Sequence, residues 1–171
     1  MWGRGTIQLQ FGNAEASERI LTEILRTFER LDDDWYHALT LGSIAWTHYA
    51  RGNLHEAGRW LVRGFRESHA LQDVASTVIQ LPATAIMALE ADRPDDAAAL
   101  LGAAEALGLR YGVHRPAGLE RLIARGNPEA RVLAAIGHDK VDAAKALGRR
   151  MTLDEAAALV GRIADEHYPP Q

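Results

Sequence analysis

The sequence predicts an all-α fold, a right-handed helical-repeat solenoid closed by a short helical C-terminal cap. Three observations predict it. The chain echoes itself at a spacing of forty: Gly12-Asn13, Gly52-Asn53 and Asp92-Arg93 sit in phase, followed by Ser17, Ala57 and Ala97, then by Leu21, Leu61 and Leu101. A fixed period in the range of about 20–50 residues marks stacked supersecondary units. Ala and Leu dominate, runs of β-branched residues are absent, and apolar positions recur at helical spacing. Gly and Pro punctuate at regular places. The expected organisation is helix-hairpin repeats over 1–112, the first one truncated, and a non-repeating helical cap over 113–171 packed with them as one domain.

Each element follows in order. The first unit has only a stub of its leading helix, carrying Trp2, Ile7, Leu9 and Phe11. The run Asp32-Asp33-Asp34 then separates two helices, and Asp33 or Asp34 is placed to cap a helix over about 35–51. Gly52 permits a tight turn. Asn53 and Glu56 have the spacing of a capping box, and Leu54, Ala57, Leu61, Gly64, Phe65 and Ser68 form one stripe behind them, flanked by Trp60 and Val62.

The next helix spans about 74–91 and contains Pro82, which removes one backbone hydrogen bond and predicts a bend near Ile79-Gln80-Leu81. Pro94 opens its partner, with Asp95 and Asp96 at the end that favours negative charge. Ala97, Leu101, Ala104 and Leu107 form that helix's stripe. After Tyr111 the period breaks at Gly112-Val113-His114-Arg115-Pro116. Shorter helices follow over about 117–125, 128–136 (Asn127 as cap, Pro128 at the first position), 139–148 and 153–167. The last has a capping box at Thr152-Leu153-Asp154-Glu155, and Pro169-Pro170-Gln171 stops it.

Composition narrows the function. The chain has no cysteine, which excludes disulfides, thiolate nucleophiles and Cys-based zinc sites. With no secretory leader in Met1-Trp2-Gly3-Arg4-Gly5, the expected compartment is the cytoplasm. No apolar run approaches the roughly 20 residues of a membrane span. A net charge of −4 gives no electrostatic footprint for nucleic acid. The seven histidines form no zinc-ligand pair on spacing, and no metal or cofactor is expected.

The hairpin pattern of Ala45, Gly52-Asn53, Ala57 and Leu61 resembles a tetratricopeptide repeat, with His48 where an aromatic residue is usual and a period of forty in place of about 34. Two further segments are similar to the C-terminal repeat region of large bacterial, mostly actinobacterial, transcriptional regulators of the MalT-like and LuxR-type groups. They are Ala97–Leu107, containing LLGAAEAL, and Gly148–Leu159, reading GRRMTLDEAAAL. The resemblance covers about residues 12–167. It implies a regulatory sensor or scaffold arm, normally joined to a nucleotide-binding module and often to a DNA-binding helix-turn-helix. Neither module is in this sequence, since it has no GxxxxGK[ST] loop and no basic recognition helix. The resemblance therefore carries over a binding arm and neither ATP hydrolysis nor DNA contact.

By the tetratricopeptide phase, the concave groove is lined by Leu39, Gly42, Trp46, Tyr49 and Ala50, then by Ile79, Pro82, Ile86, Leu89 and Glu90. Trp46 and Tyr49 are the natural anchors for an apolar partner; packing between hairpins is the competing role. The N-terminal edge, Trp2, Ile7, Leu9 and Phe11, is expected to meet a preceding domain of a longer regulator or a second copy. Lys140, Lys145, Arg149 and Arg150 make the tail locally basic, read as solvated helix surface. The expected function is a non-enzymatic, protein-binding regulatory module. A small-molecule effector site around Trp46 and Tyr49 is the alternative.

Overall fold

In the computed structural model the described residues, 2–115 and 117–169 without the Trp2 side chain, form helices joined by short turns and loops, with no strand among them. Pro116, Pro170 and Gln171, named above in a loop and a helix stop, lie outside the described residues. The chain divides into two units, one running to Asp73 and one from Val74 to Pro169.

The first unit holds α1 (Trp2–Gln10), α2 (Ala14–Leu31), α3 (Asp34–Ala50) and α4 (Leu54–Ala70). Each packs on its neighbour in sequence, and α1 also reaches α3. Leu21, Leu25, Leu41 and Ile44 form the core cluster, with Trp60 against it. Asp33 supplies the α3 cap, accepting from the Tyr36 N–H. The helix α3 is buried over most of its circumference although it carries Thr40, Ser43 and Thr47. Their hydroxyls donate to carbonyls of their own helix, at Tyr36, Leu39 and Ile44, so burial leaves them satisfied.

The second unit holds α5 (Val74–Glu90), α6 (Pro94–Tyr111), α7 (Ala117–Gly126), α8 (Pro128–Ile136), α9 (His138–Gly148) and α10 (Leu153–His167). The helix α6 is its hub, touching α5, α8, α9 and α10. That explains why α6 buries Ala97 through Ala104 without a break, where the sequence suggested a single stripe. The helix α5 runs through Pro82 without interruption. Thr84 and Gln80, on either side of the proline, donate to the Leu81 and Ser76 carbonyls. The Thr152–Glu155 capping box is present in both directions.

Two expected caps fail. Asn53 makes no side-chain cap bond, and Glu56 pairs instead with Arg59 at 3.0 Å. Asn127 adopts φ 42°, ψ 52°, a left-handed backbone in place of the extended one a capping residue uses, and its side chain makes no cap bond. Leu54, placed in the α4 stripe, is exposed, while Gly58 and Val62 are buried.

The turns carry a finer period than the sequence revealed. Positive φ angles fall at Gly12, Asp32, Gly52, Gln72, Asp92 and Gly112, one every twenty residues. At each, the following N–H bonds the carbonyl five residues back: Asn13 to Gln8, Asp33 to Phe28, Asn53 to His48, Asp73 to Ser68, Arg93 to Ala88 and Val113 to Gly108. This is a Schellman closure, repeated six times.

Candidate binding site

Within the first unit, Leu39, Trp46 and Tyr49 lie on α3. Trp46 is 9 % exposed and stands edge-on to half-buried Tyr49, ring centroids 5.6 Å apart. Gly42 is half-buried and Ala50 is exposed. His48, in the place of the expected aromatic residue, lies parallel to Trp60 at 6.3 Å. Its Nε2 faces Glu18, which also pairs with Arg51. Within the second unit, Ile79, Leu89 and Glu90 on α5 are half-buried, while Ile86 and Pro82 are buried. Glu90 is held by Arg131 of α8 at 2.8 Å. At the N-terminal edge, Leu9 belongs to the core, and Ile7 and Phe11 are exposed. The Trp2 side chain lies outside the described residues.

A cleft that sequence reasoning did not find opens in the second unit. Its volume is about 690 Å³, within the range of small-molecule sites. Pro82 of α5 and Leu101, Ala104 and Leu109 of α6 form one wall, Val113 and His114 the loop end, and Ile123, Asn127 and Glu129 the far side. Beside it, α6 is packed closely against α9. Gly102 faces the α9 backbone so closely that a Cβ there would stand 2.8 Å from the Lys145 Cα. A Cβ at Gly148 would overlap the Ala99 carbonyl oxygen. Two glycines at one crossing let the helices meet backbone to backbone.

That crossing joins the two segments that carry the family resemblance. Lys145 spans it, with its Nζ 2.5 Å from Glu105 and 3.1 Å from Glu129. Arg149 reaches Glu105 at 3.1 Å. Burial alone would raise the Glu105 carboxyl, but Lys145, and then Arg149, hold it below the ordinary carboxylate range by hydrogen bonds and charge. Burial alone would lower Lys145, yet Glu105 and Glu129 keep it above the ordinary ammonium range. So Lys145 and Arg149 are not free basic surface, as the tail's composition suggested. At the loop end Arg115 pairs with Glu120 at 3.3 Å. Each carboxylate lining the cleft therefore has a cationic partner, beside an apolar floor.

Among the described residues, no cluster of three or more His, Asp or Glu side chains could hold a metal ion, and no helix is long and apolar enough to cross a membrane. No family model, curated protein or solved structure matches this chain.

Proposed function

We propose that this chain is a non-enzymatic interaction module, the helical-repeat arm of a transcriptional regulator or related signal-transduction protein, working in the cytoplasm. The observation that carries the reading is the run of six left-handed turns spaced twenty residues apart with the same closing bond. Helix hairpins repeated in this way belong to tandem arrays, whose extended surfaces take up partners. The partner is a protein, or the preceding domains of a longer regulator, with Ile7 and Phe11 as its exposed apolar contact. A photo-crosslinking residue placed at Phe11 in the source cell is expected to give one dominant adduct, with a regulatory protein or a second copy. A diffuse adduct pattern, no different from that of the same probe at Ala135 on α8, would sink the reading.

A second reading is favoured by the α6–α7–α8 cleft: the module senses a small effector. The paired rim leaves no carboxylate awaiting a counter-ion, so the ligand is an uncharged molecule with a large apolar part and a hydrogen-bonding group for His114 or Asn127. On this reading the effector is taken up by residues of the cleft, among which Trp46 and Tyr49 do not figure. A ligand at about a hundred times its Kd adds about 2.7 kcal/mol, which corresponds to roughly 5–10 °C in the melting midpoint of a chain this size. Leu101→Trp is expected to fill the cleft and abolish the shift. A neutral amphiphile that shifts wild type and variant equally is not bound there.

A further inference from the structure

At one end of the first unit the chain exposes two neighbouring aromatic side chains, Trp35 at 46 % and Tyr36 at 39 %. They are not loose. Tyr36 stacks on Phe28 with centroids 5.0 Å apart and planes 14° from parallel. Trp35 stands against Tyr36 at 4.7 Å and 80°, and its indole N–H donates to Asp73, just beyond α4. Two helices, α2 and α3, and the turn after α4 thus hold one aromatic platform in place while leaving it in water. Exposing large rings this way forgoes the stabilisation that their burial would bring. The hydrogen bond to Asp73 spends an indole donor on keeping the Trp35 ring fixed at the surface.

Along the chain, the residues flanking the platform are mostly acidic; Glu29 and Glu67 face His37, and Glu67 also pairs with Arg63. Residues 29–37 together with Asp73 carry five carboxylates, Glu29, Asp32, Asp33, Asp34 and Asp73, against one guanidinium, Arg30. Asp33 is committed to the Tyr36 N–H and Asp73 to Trp35. Asp32 and Asp34 are exposed on either side of them. An aromatic face attracts a cation through its quadrupole, and guanidinium stacks on it best. Carboxylates at the ring edge add charge-assisted hydrogen bonds and select against anionic partners.

We propose that the Trp35–Tyr36 platform is a docking surface for a basic peptide segment, with an arginine side chain lying over the Trp35 ring and its neighbouring positive charges meeting Asp32 and Asp34. A basic peptide is the occupant to which the charge balance commits the surface; a second copy of the chain and an apolar partner are outcomes of the test. The platform shares no residue with the α6–α7–α8 cleft or with the Ile7–Phe11 contact.

The test uses the full chain and a fluorescein-labelled peptide of alternating Gly and Arg, with a Gly-Glu peptide of equal length as control. Anisotropy is read at low and high salt. The Gly-Arg peptide is expected to bind, the Gly-Glu peptide not to bind, and high salt to weaken the complex. Trp35→Ala and the double variant D32N/D34N are each expected to weaken binding roughly tenfold. The double variant changes exposed side chains alone, so it guards against a fold defect in Trp35→Ala, which circular dichroism also checks. Equal binding of both peptides overturns the proposal, as does affinity that both variants leave unchanged, or no binding at low salt. Concentration-dependent self-association that Trp35→Ala removes assigns the platform to a second copy and overturns it too.

Discussion

Tyr168 shows how one side chain fastens a chain segment. Its ring is buried behind α10, and its hydroxyl donates to the Met87 carbonyl at 3.0 Å, tying the residue after α10 to α5. Burial, and then the nearby Glu90 charge, push the phenol up to about 12. The neutral phenol is the form the fold stabilises, so this contribution is full below the ordinary tyrosine value of about 10 and fades as pH rises through about 12. In an ultraviolet titration of the folded protein, one tyrosine is expected to ionise late, near pH 12. Tyr168→Phe should remove that late step. A late step that survives the substitution would assign it elsewhere. Nothing in the sequence singled out Tyr168, because its partner is a backbone carbonyl far away in the chain. The same holds for Lys145: composition showed a basic tail, and only the crossing of α6 and α9 shows which charges are spent within the fold.

At the scale of elements, helix positions were legible, while of the caps Asp33 and the Thr152–Glu155 box were and Asn53 and Asn127 were not. Helices expected over about 35–51, 74–91, 128–136 and 153–167 appear as α3, α5, α8 and α10 with bounds moved by a residue at most. Hydrophobic periodicity and proline report helix content directly. Asn53 and Asn127 have the right residue type for a cap, yet a cap bond needs a backbone geometry that residue type does not set. The turns tell the complementary story. Gly12, Gly52 and Gly112 advertise their positive φ, whereas Gln72 and Asp92 adopt the same conformation, both at 56°, with a Cβ. An L-residue in that region is strained by about 1–2 kcal/mol. Gln72→Gly should therefore raise stability, by about 1 kcal/mol once the added freedom of the unfolded chain is offset. Gly52→Ala should lower it by a similar amount. Urea denaturation read by circular dichroism checks both signs, and a loss of stability in Gln72→Gly would show that the 72–73 turn is held by its side chain.

For the whole molecule, the all-helical class followed from composition and period alone, since 171 residues with helical spacing throughout leave little room for strands. The forty-residue echo was visible because Gly-Asn recurs at 12 and 52. Its halving into twenty was hidden because Asp32, Gln72 and Asp92 perform the same backbone task with different side chains. The anchors Trp46 and Tyr49 were legible as large rings on α3, but a helical wheel cannot tell a groove from an interior, and Trp46 lies nearly covered. The α6–α7–α8 cleft escaped notice for a related reason: its walls come from residues 82 to 129, brought together by the α6 hub and by no local motif.

The lysine that bridges Glu105 and Glu129 also makes the protein a convenient substrate for chemical labelling. Lys140 and Lys145 are the chain's two lysines, and there is no cysteine. Lys140 is exposed on α9, while the Lys145 side chain is 12 % exposed and engaged by two carboxylates. An amine-reactive dye used sparingly will therefore find Lys140 ahead of Lys145, and any single introduced cysteine will be the sole thiol. A dye can thus be placed at one chosen point through an introduced cysteine, without first stripping native thiols from the chain.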